Sequence, residues 1–126
     1  GLEQHFAFAG YRENVGEILT VIDILLHPAT MEGFANVAMQ ALAAAKPVVS
    51  SAVGGMPEIV LDGETGILVP PQNPAAIVDA LDKLLSDSSL RDKLGRKGQQ
   101  RVKEKFSVEN MVANTLAVYE KILAEN

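Results

Sequence analysis

Apolar positions along the chain fall into two regimes. In the first 71 residues short apolar runs alternate with helical spacings, and afterwards only helical spacings remain. His5-Phe6-Ala7-Phe8-Ala9, Asp23-Ile24-Leu25-Leu26-His27, Lys46-Pro47-Val48-Val49-Ser50-Ser51 and Gly66-Ile67-Leu68-Val69 read as four buried strands. The third carries proline at its head, where a missing N–H costs least. Between them Val15, Ile18, Leu19 and Ile22 recur at helical spacing behind a capping Asn14. Ala35 to Ala45 is an alanine-rich helix suited to close packing on a sheet, and Met56 to Leu61 makes one short helical step.

Beyond Pro71 three amphipathic helices are predicted. Asn73-Pro74 puts a capping side chain before a proline at the first helical position, ahead of the stripe Ile77, Leu81, Leu84, Leu85. Asp87 or Ser88 caps the second, which carries Leu90 and Leu94. Ser107 caps the third, with Val112, Leu116, Tyr119 and Leu123 on one face. Alternating strands and helices with short connections imply parallel pairing and right-handed crossovers. The expected fold is therefore α/β: a Rossmann-like parallel sheet of about four strands with flanking helices, followed by three C-terminal helices. Residues 1–126 form one domain in this reading.

Composition narrows the function. The absence of cysteine removes disulfides and thiolate metal sites. No basic, apolar leader opens the sequence and no apolar run approaches the roughly 20 residues needed to cross a bilayer, which places the expected setting in the cytoplasm. The net charge of −5 argues against nucleic acid as the main partner. Yet seven bases lie between Arg91 and Lys105, a density open to two readings. One is a solvated helix face; the other is peripheral contact with phosphates or anionic headgroups.

In an open parallel sheet, ligands bind beyond the carboxyl ends of the strands. The segments there are Gly10-Tyr11-Arg12, Pro28 to Asn36, Ala52 to Glu58 and Pro70-Pro71. The second delivers Glu32 and Gly33 just before a helix, whose unpaired N–H groups and dipole can hold a phosphate without a basic side chain. Glu32 beside it can accept hydrogen bonds from sugar hydroxyls. Equally, Gly33 can serve only a turn and Glu32 only the helix dipole; spacing leaves both open. Gly54-Gly55 permits close backbone approach, and Glu58 reads as a helix-start carboxylate. His5 and His27 are not spaced as a metal pair, and His27 reads as satisfying a local hydrogen bond. Dinucleotide-binding, phosphate-loop and nucleophile-elbow motifs are absent from the sequence.

The run E-G-F-A-N-V-A-M-Q-A-L-A-A-A-K-P-V-V-S-S-A-V-G-G-M-P-E-I-V-L-D-G-E-T-G-I-L-V-P-P, Glu32 to Pro71, resembles the C-terminal domain of the family-four retaining glycosyltransferases of GT-B fold. The likeness extends more loosely from Phe8-Ala9-Gly10-Tyr11 to Phe106-Ser107 and Tyr119. It implies a nucleoside diphosphate sugar as donor substrate, with no cofactor and no metal. Glu32 would contact donor-sugar hydroxyls, and Gly33, Phe34, Ala35 and Asn36 would form the turn whose amides meet sugar and phosphates, with Val37 at the helix start. Gly10-Tyr11-Arg12 would border the base.

Two departures matter. The family's second glutamate, which grips the ribose, is replaced by Gln40, and Ala35 stands for the usual glycine or serine. The family's basic loop has no counterpart, so the chain reads as a partial nucleotide-sugar-binding domain, inactive alone, whose N-terminal acceptor domain is missing. An uncovered sheet edge would favour a homodimer. The alternatives are a degenerate, non-catalytic binding module and a sugar-phosphate isomerase or epimerase of similar architecture, for which Glu32 and Glu58 are the only candidate acids.

Overall fold

A computed structural model describes residues 1–125. Three strands, β1 (Leu25–His27), β2 (Val48–Ser51) and β3 (Gly66–Val69), form a parallel sheet in the order β1-β2-β3. The register sets Leu25 beside Val48 and Val48 beside Gly66. Helices α1 (Val15–Val21), α2 (Asn36–Ala43) and α3 (Met56–Ile59) alternate with the strands. Helices α4 (Pro74–Ser86), α5 (Ser88–Lys105) and α6 (Val108–Ala124) follow.

Side chains of a strand alternate between faces, and β2 feeds a separate core on each. Val48 joins Leu19, Ala38, Ala41, Leu42, Met56 and Ile59 on the side of the first three helices. Val49 joins Val69, Ala80, Leu84 and Leu94 on the side of α4 and α5. The sheet is thus the middle of three layers, and all four residues of β2 are buried. That explains why its sequence is a run instead of an alternation.

His5–Ala9 is not a strand, so the sheet has three strands and not four. Glu3–His5 is one 3-10 turn, and Phe6 and Phe8 are 66% and 97% exposed. An apolar run becomes a strand only by pairing, and β1 pairs only with β2; this segment has neither a ladder nor a covering layer. Helix α6 forms where predicted, capped by Ser107 accepting from the Asn110 amide at 3.2 Å. Its stripe of Val112, Leu116, Tyr119 and Leu123 is nonetheless exposed. Asn73 and Asp87 cap α4 and α5 as the sequence implies, through the amides of Ala76 and Leu90. Asn14 stands at the start of α1 but gives no side-chain cap; its amide donates to Glu17 Oε1 at 3.4 Å.

Small residues let α5 pack closely against α2 and the turn that ends it. A Cβ on Gly95 would lie 2.0 Å from the Ala45 carbonyl oxygen, and one on Gly98 2.5 Å from a Leu42 methyl carbon. The basic run on α5 is only partly a solvated face. Arg91 donates to the Leu84 and Leu85 carbonyls that end α4, and Arg101 to the Glu58 and Ile59 carbonyls at α3. Both guanidiniums satisfy carbonyls that a helix end leaves without partners. Among the described residues, no helix is long and apolar enough to cross a membrane.

Candidate functional site

The loops beyond β1 and β2 meet face to face. Gly55 N–H donates to the Gly33 carbonyl at 2.9 Å. Gly54 adopts φ +52, and a Cβ there would fall 1.6 Å from the Glu32 carbonyl oxygen; one on Gly55 would fall 2.5 Å from that of Gly33. Here glycine is required twice, by backbone conformation and by contact. The pair Gly54-Gly55 therefore sets the position of Glu32 and Gly33.

Glu32 is half-buried and held at both oxygens. Its Oε1 accepts from the Gly33 amide at 3.0 Å, and its Oε2 lies 3.3 Å from His27 Nε2 at the end of β1. Ser50 Oγ, on β2, donates to the His27 carbonyl at 3.0 Å and fixes that strand end. His27 Nδ1 is buried with no hydrogen-bond partner among the described residues. The sequence reads His27 as satisfying a local hydrogen bond; the structure instead sets its Nε2 against the Glu32 carboxylate at 3.3 Å. The signal was its place at a strand end five residues before Glu32. A carboxylate offers about four lone-pair sites, so Glu32 retains capacity for donors beyond the two it has.

Gly33 behaves unlike its neighbours. It is not among the residues of positive φ, and a Cβ built on it meets nothing within 4 Å. Neither a positive φ nor packing within the chain demands a glycine at this position. What glycine leaves there is open space on its Cα, beside an amide that donates to Glu32 Oε1, so a ligand can approach the backbone closely. Helix α2 begins three residues later behind Ala35, whose side chain cannot cap and which makes no cap hydrogen bond. The first N–H groups of a helix have no intrahelical acceptor, and they carry the positive end of its dipole.

Around this centre Phe34 is 43% exposed, Ala35 is buried, Asn36 is exposed and Val37 is half-buried. Gln40 lies exposed one turn along α2. Gly10, Tyr11 and Arg12 stand apart. Gly10 has φ +65, Tyr11 is exposed, and Arg12 Nε donates to the Ala9 carbonyl at 2.9 Å. These residues border a depression lined by Ala9, Tyr11, Arg12, Glu13, Asn14, Glu17 and Ile18, which includes none of Glu32 to Gln40. The structure thus brings together Glu32 to Val37 with His27, Gly54 and Gly55, and does not join Gly10-Tyr11-Arg12 to them. Glu58 is exposed in the first turn of α3, a helix-start carboxylate as the sequence implies.

Such an arrangement can hold a ligand that is anionic at one end and hydroxylated at the other. The first N–H groups of α2 suit phosphate, and Glu32 suits hydroxyls. Comparison with known proteins gives the same frame. The family model of glycosyl transferases group 1 matches residues 1–101. N-acetyl-alpha-D-glucosaminyl L-malate synthase of Bacillus anthracis is 30% identical over 125 residues, 99% of this chain and 33% of that protein. Sucrose-phosphate synthase from Thermosynechococcus elongatus superposes with a TM-score of 0.89 at 31% identity, over 99% of this chain and 32% of that one. HepE of Anabaena, solved with UDP, superposes at 0.87 with 27% identity over 94% of this chain and 34% of that one. It has also been solved with UDP-glucose. The chain spans about a third of the length of these proteins. Its fold is that of a GT-B C-terminal domain.

Proposed function

The chain belongs to the group 1 glycosyl transferases, and from that premise we propose that it is the part which binds the nucleotide-sugar donor, its full protein transferring the sugar to an acceptor with retention at the anomeric carbon. The observation that carries this is Gly33: an uncrowded glycine beside a half-buried carboxylate, three residues ahead of a helix that no side chain caps. The sugar nucleotides held by a structural neighbour have the matching chemistry, hydroxyls at one end and a diphosphate in the middle.

In this reading Glu32 accepts hydrogen bonds from donor-sugar hydroxyls, and His27 keeps its carboxylate pointed at them. The amides from Gly33 to Val37, with the α2 dipole, stabilise negative charge as the bond from the anomeric carbon to the diphosphate breaks. Gln40 faces the ribose, and Gly10-Tyr11-Arg12 border the base once the donor spans both regions. The chain contributes no general base or nucleophile, so transfer requires the acceptor-binding remainder of the protein. A nucleotide-sugar is here a substrate, and no cofactor is invoked. A cytoplasmic location is part of the same reading.

Gln40 favours a second reading, a binding module that has lost transfer, because an amide makes weaker bonds to hydroxyls than a carboxylate does. Calorimetric titration with UDP, GDP and ADP separates the two. Gln40→Glu is expected to tighten the preferred nucleotide by about 1–2 kcal/mol, and Glu32→Gln to weaken the sugar nucleotide more than the bare diphosphate. No response to Gln40→Glu would favour the degenerate module. Equal weakening of both ligands by Glu32→Gln would remove Glu32 from the sugar.

A further inference from the structure

The loop that carries Glu32 is braced from behind by residues outside both cores. Phe34 meets Phe106, at the α5–α6 junction, with ring centroids 6.1 Å apart and planes tilted by 60°. The Arg101 guanidinium carbon lies 5.7 Å from the Phe106 centroid. That same guanidinium donates through Nε to the Ile59 carbonyl at 3.2 Å and through Nη2 to that of Glu58 at 2.6 Å. Helix α3 begins directly after Gly55, whose amide bonds the Gly33 carbonyl and whose Cβ, if present, would lie 3.2 Å from the Phe34 ring. The contacts close a circuit: Gly33-Phe34, Phe106, Arg101, α3, Gly55, and back to Gly33.

We infer that Arg101 and Phe106 are positioning residues for the donor-binding turn, acting through Phe34 on one side and through α3 and Gly55 on the other. The inference rests on the donor-site reading of that turn. Packing alone would not need this combination. Phe34 and Phe106 are only partly buried and belong to neither core cluster, so the pair lies outside the packing that holds the sheet. A guanidinium that satisfies two carbonyls while lying over a ring fixes direction as well as distance, which a lysine's point charge cannot do. The Gly54-Gly55 contacts set how closely the two loops approach; the aromatic pair sets the tilt of the turn between them. Asn110 Nδ2 donates to the Glu104 carbonyl at 2.5 Å and holds the junction that presents Phe106. Movement of α6 about this junction would therefore reach the site.

The test is amide hydrogen exchange together with nucleotide titration on Phe106→Leu, Phe34→Leu, the double variant, Arg101→Lys and Phe106→Tyr. In the ligand-free chain, exchange at Gly55 N–H should quicken roughly tenfold in the Leu and Lys variants, on the scale of local opening, while Val49 in the core is unchanged. Phe106→Tyr, which keeps the ring, should match the wild type. Affinity for the nucleotide that binds among UDP, GDP and ADP should fall about tenfold in each Leu variant and no further in the double, as expected of residues acting as a unit. Unchanged Gly55 exchange, or Phe34 and Phe106 effects that multiply independently, would overturn the inference. If Phe106→Leu also speeds exchange at Val49 it has loosened the whole fold, and Arg101→Lys then decides. A wild-type chain that binds none of the nucleotides would defeat the donor reading, and Gly55 exchange would still decide the brace.

Discussion

Ala45 ends α2 in the left-handed region, with φ 56, where a Cβ crowds the neighbouring carbonyl. The amides of Ala45 and Lys46 return to the carbonyls of Leu42 and Ala41, so the turn closes the helix as a glycine would normally do. Ala45→Gly should therefore raise stability by about 1 kcal/mol, the relief of strain exceeding the added freedom of the unfolded chain. Urea unfolding measures this, and a loss of stability would mean that the alanine methyl contributes more in packing than its conformation costs. The sequence marks this helix by its alanines but not its left-handed end, because nothing in a run of alanines distinguishes one in αL from its neighbours. By contrast Gly54 and Gly55 were legible as residues of close approach, and the Glu32 and Gly33 carbonyls are what they approach. His27 was legible only as a polar residue at a strand end. Its partner depends on how the Glu32 loop folds back, which chain spacing does not specify.

Helix ends followed local rules, while strands and surfaces depended on neighbours. Asp87 accepts from Ser89 Oγ and from the Leu90 amide, at 2.6 and 2.9 Å. These bonds, the Ser89 hydroxyl foremost, hold its carboxyl below the ordinary aspartate value. A carboxyl of lowered folded pKa contributes stability above its unfolded pKa and loses it as pH falls through the folded one. Asp87→Ala should thus lower the thermal midpoint at pH 7, and its gap from wild type should narrow as pH falls below about 4, the ordinary range of such groups. A constant gap across that range would show that the cap acts through its shape and not its charge. His5–Ala9 failed as a strand for the opposite reason: pattern identifies a segment able to pair, whereas pairing requires an edge beside it. The α6 stripe likewise identifies a helix with an apolar face, although Val112, Leu116, Tyr119 and Leu123 remain exposed. Amphipathicity predicted the helix correctly, and burial did not follow.

At the scale of the molecule, the three-layer arrangement follows from one strand. β2 turns Val48 to one core and Val49 to the other, and its carboxyl end leads to the Gly54-Gly55 turn that positions the site. The α/β class, the parallel pairing and the gathering of the Glu32 and Gly54-Gly55 loops beyond the strand ends were all legible, since each follows from the order of elements. The brace through Phe106 and Arg101 was not, because it joins residues more than 60 positions apart along the chain, Phe34 and Phe106 among them. The assignment of Gly10-Tyr11-Arg12 to the same site rested on a strand at His5–Ala9 as well as on family resemblance; that strand does not form, and the structure leaves the segment separate. If a donor spans both regions, these residues should respond to the base and not to the sugar. The most direct measurement is an NMR titration of the chain with UDP, GDP and ADP, and with UDP-glucose and GDP-mannose, following the amides of Gly10, Tyr11 and Gly33 to Val37. Shifts are expected at Gly33 to Val37 with every ligand that binds, and at Gly10 and Tyr11 in a way that depends on the base. Silence at these amides with millimolar ligand, or shifts confined to the basic face of α5, would contradict the donor-site reading.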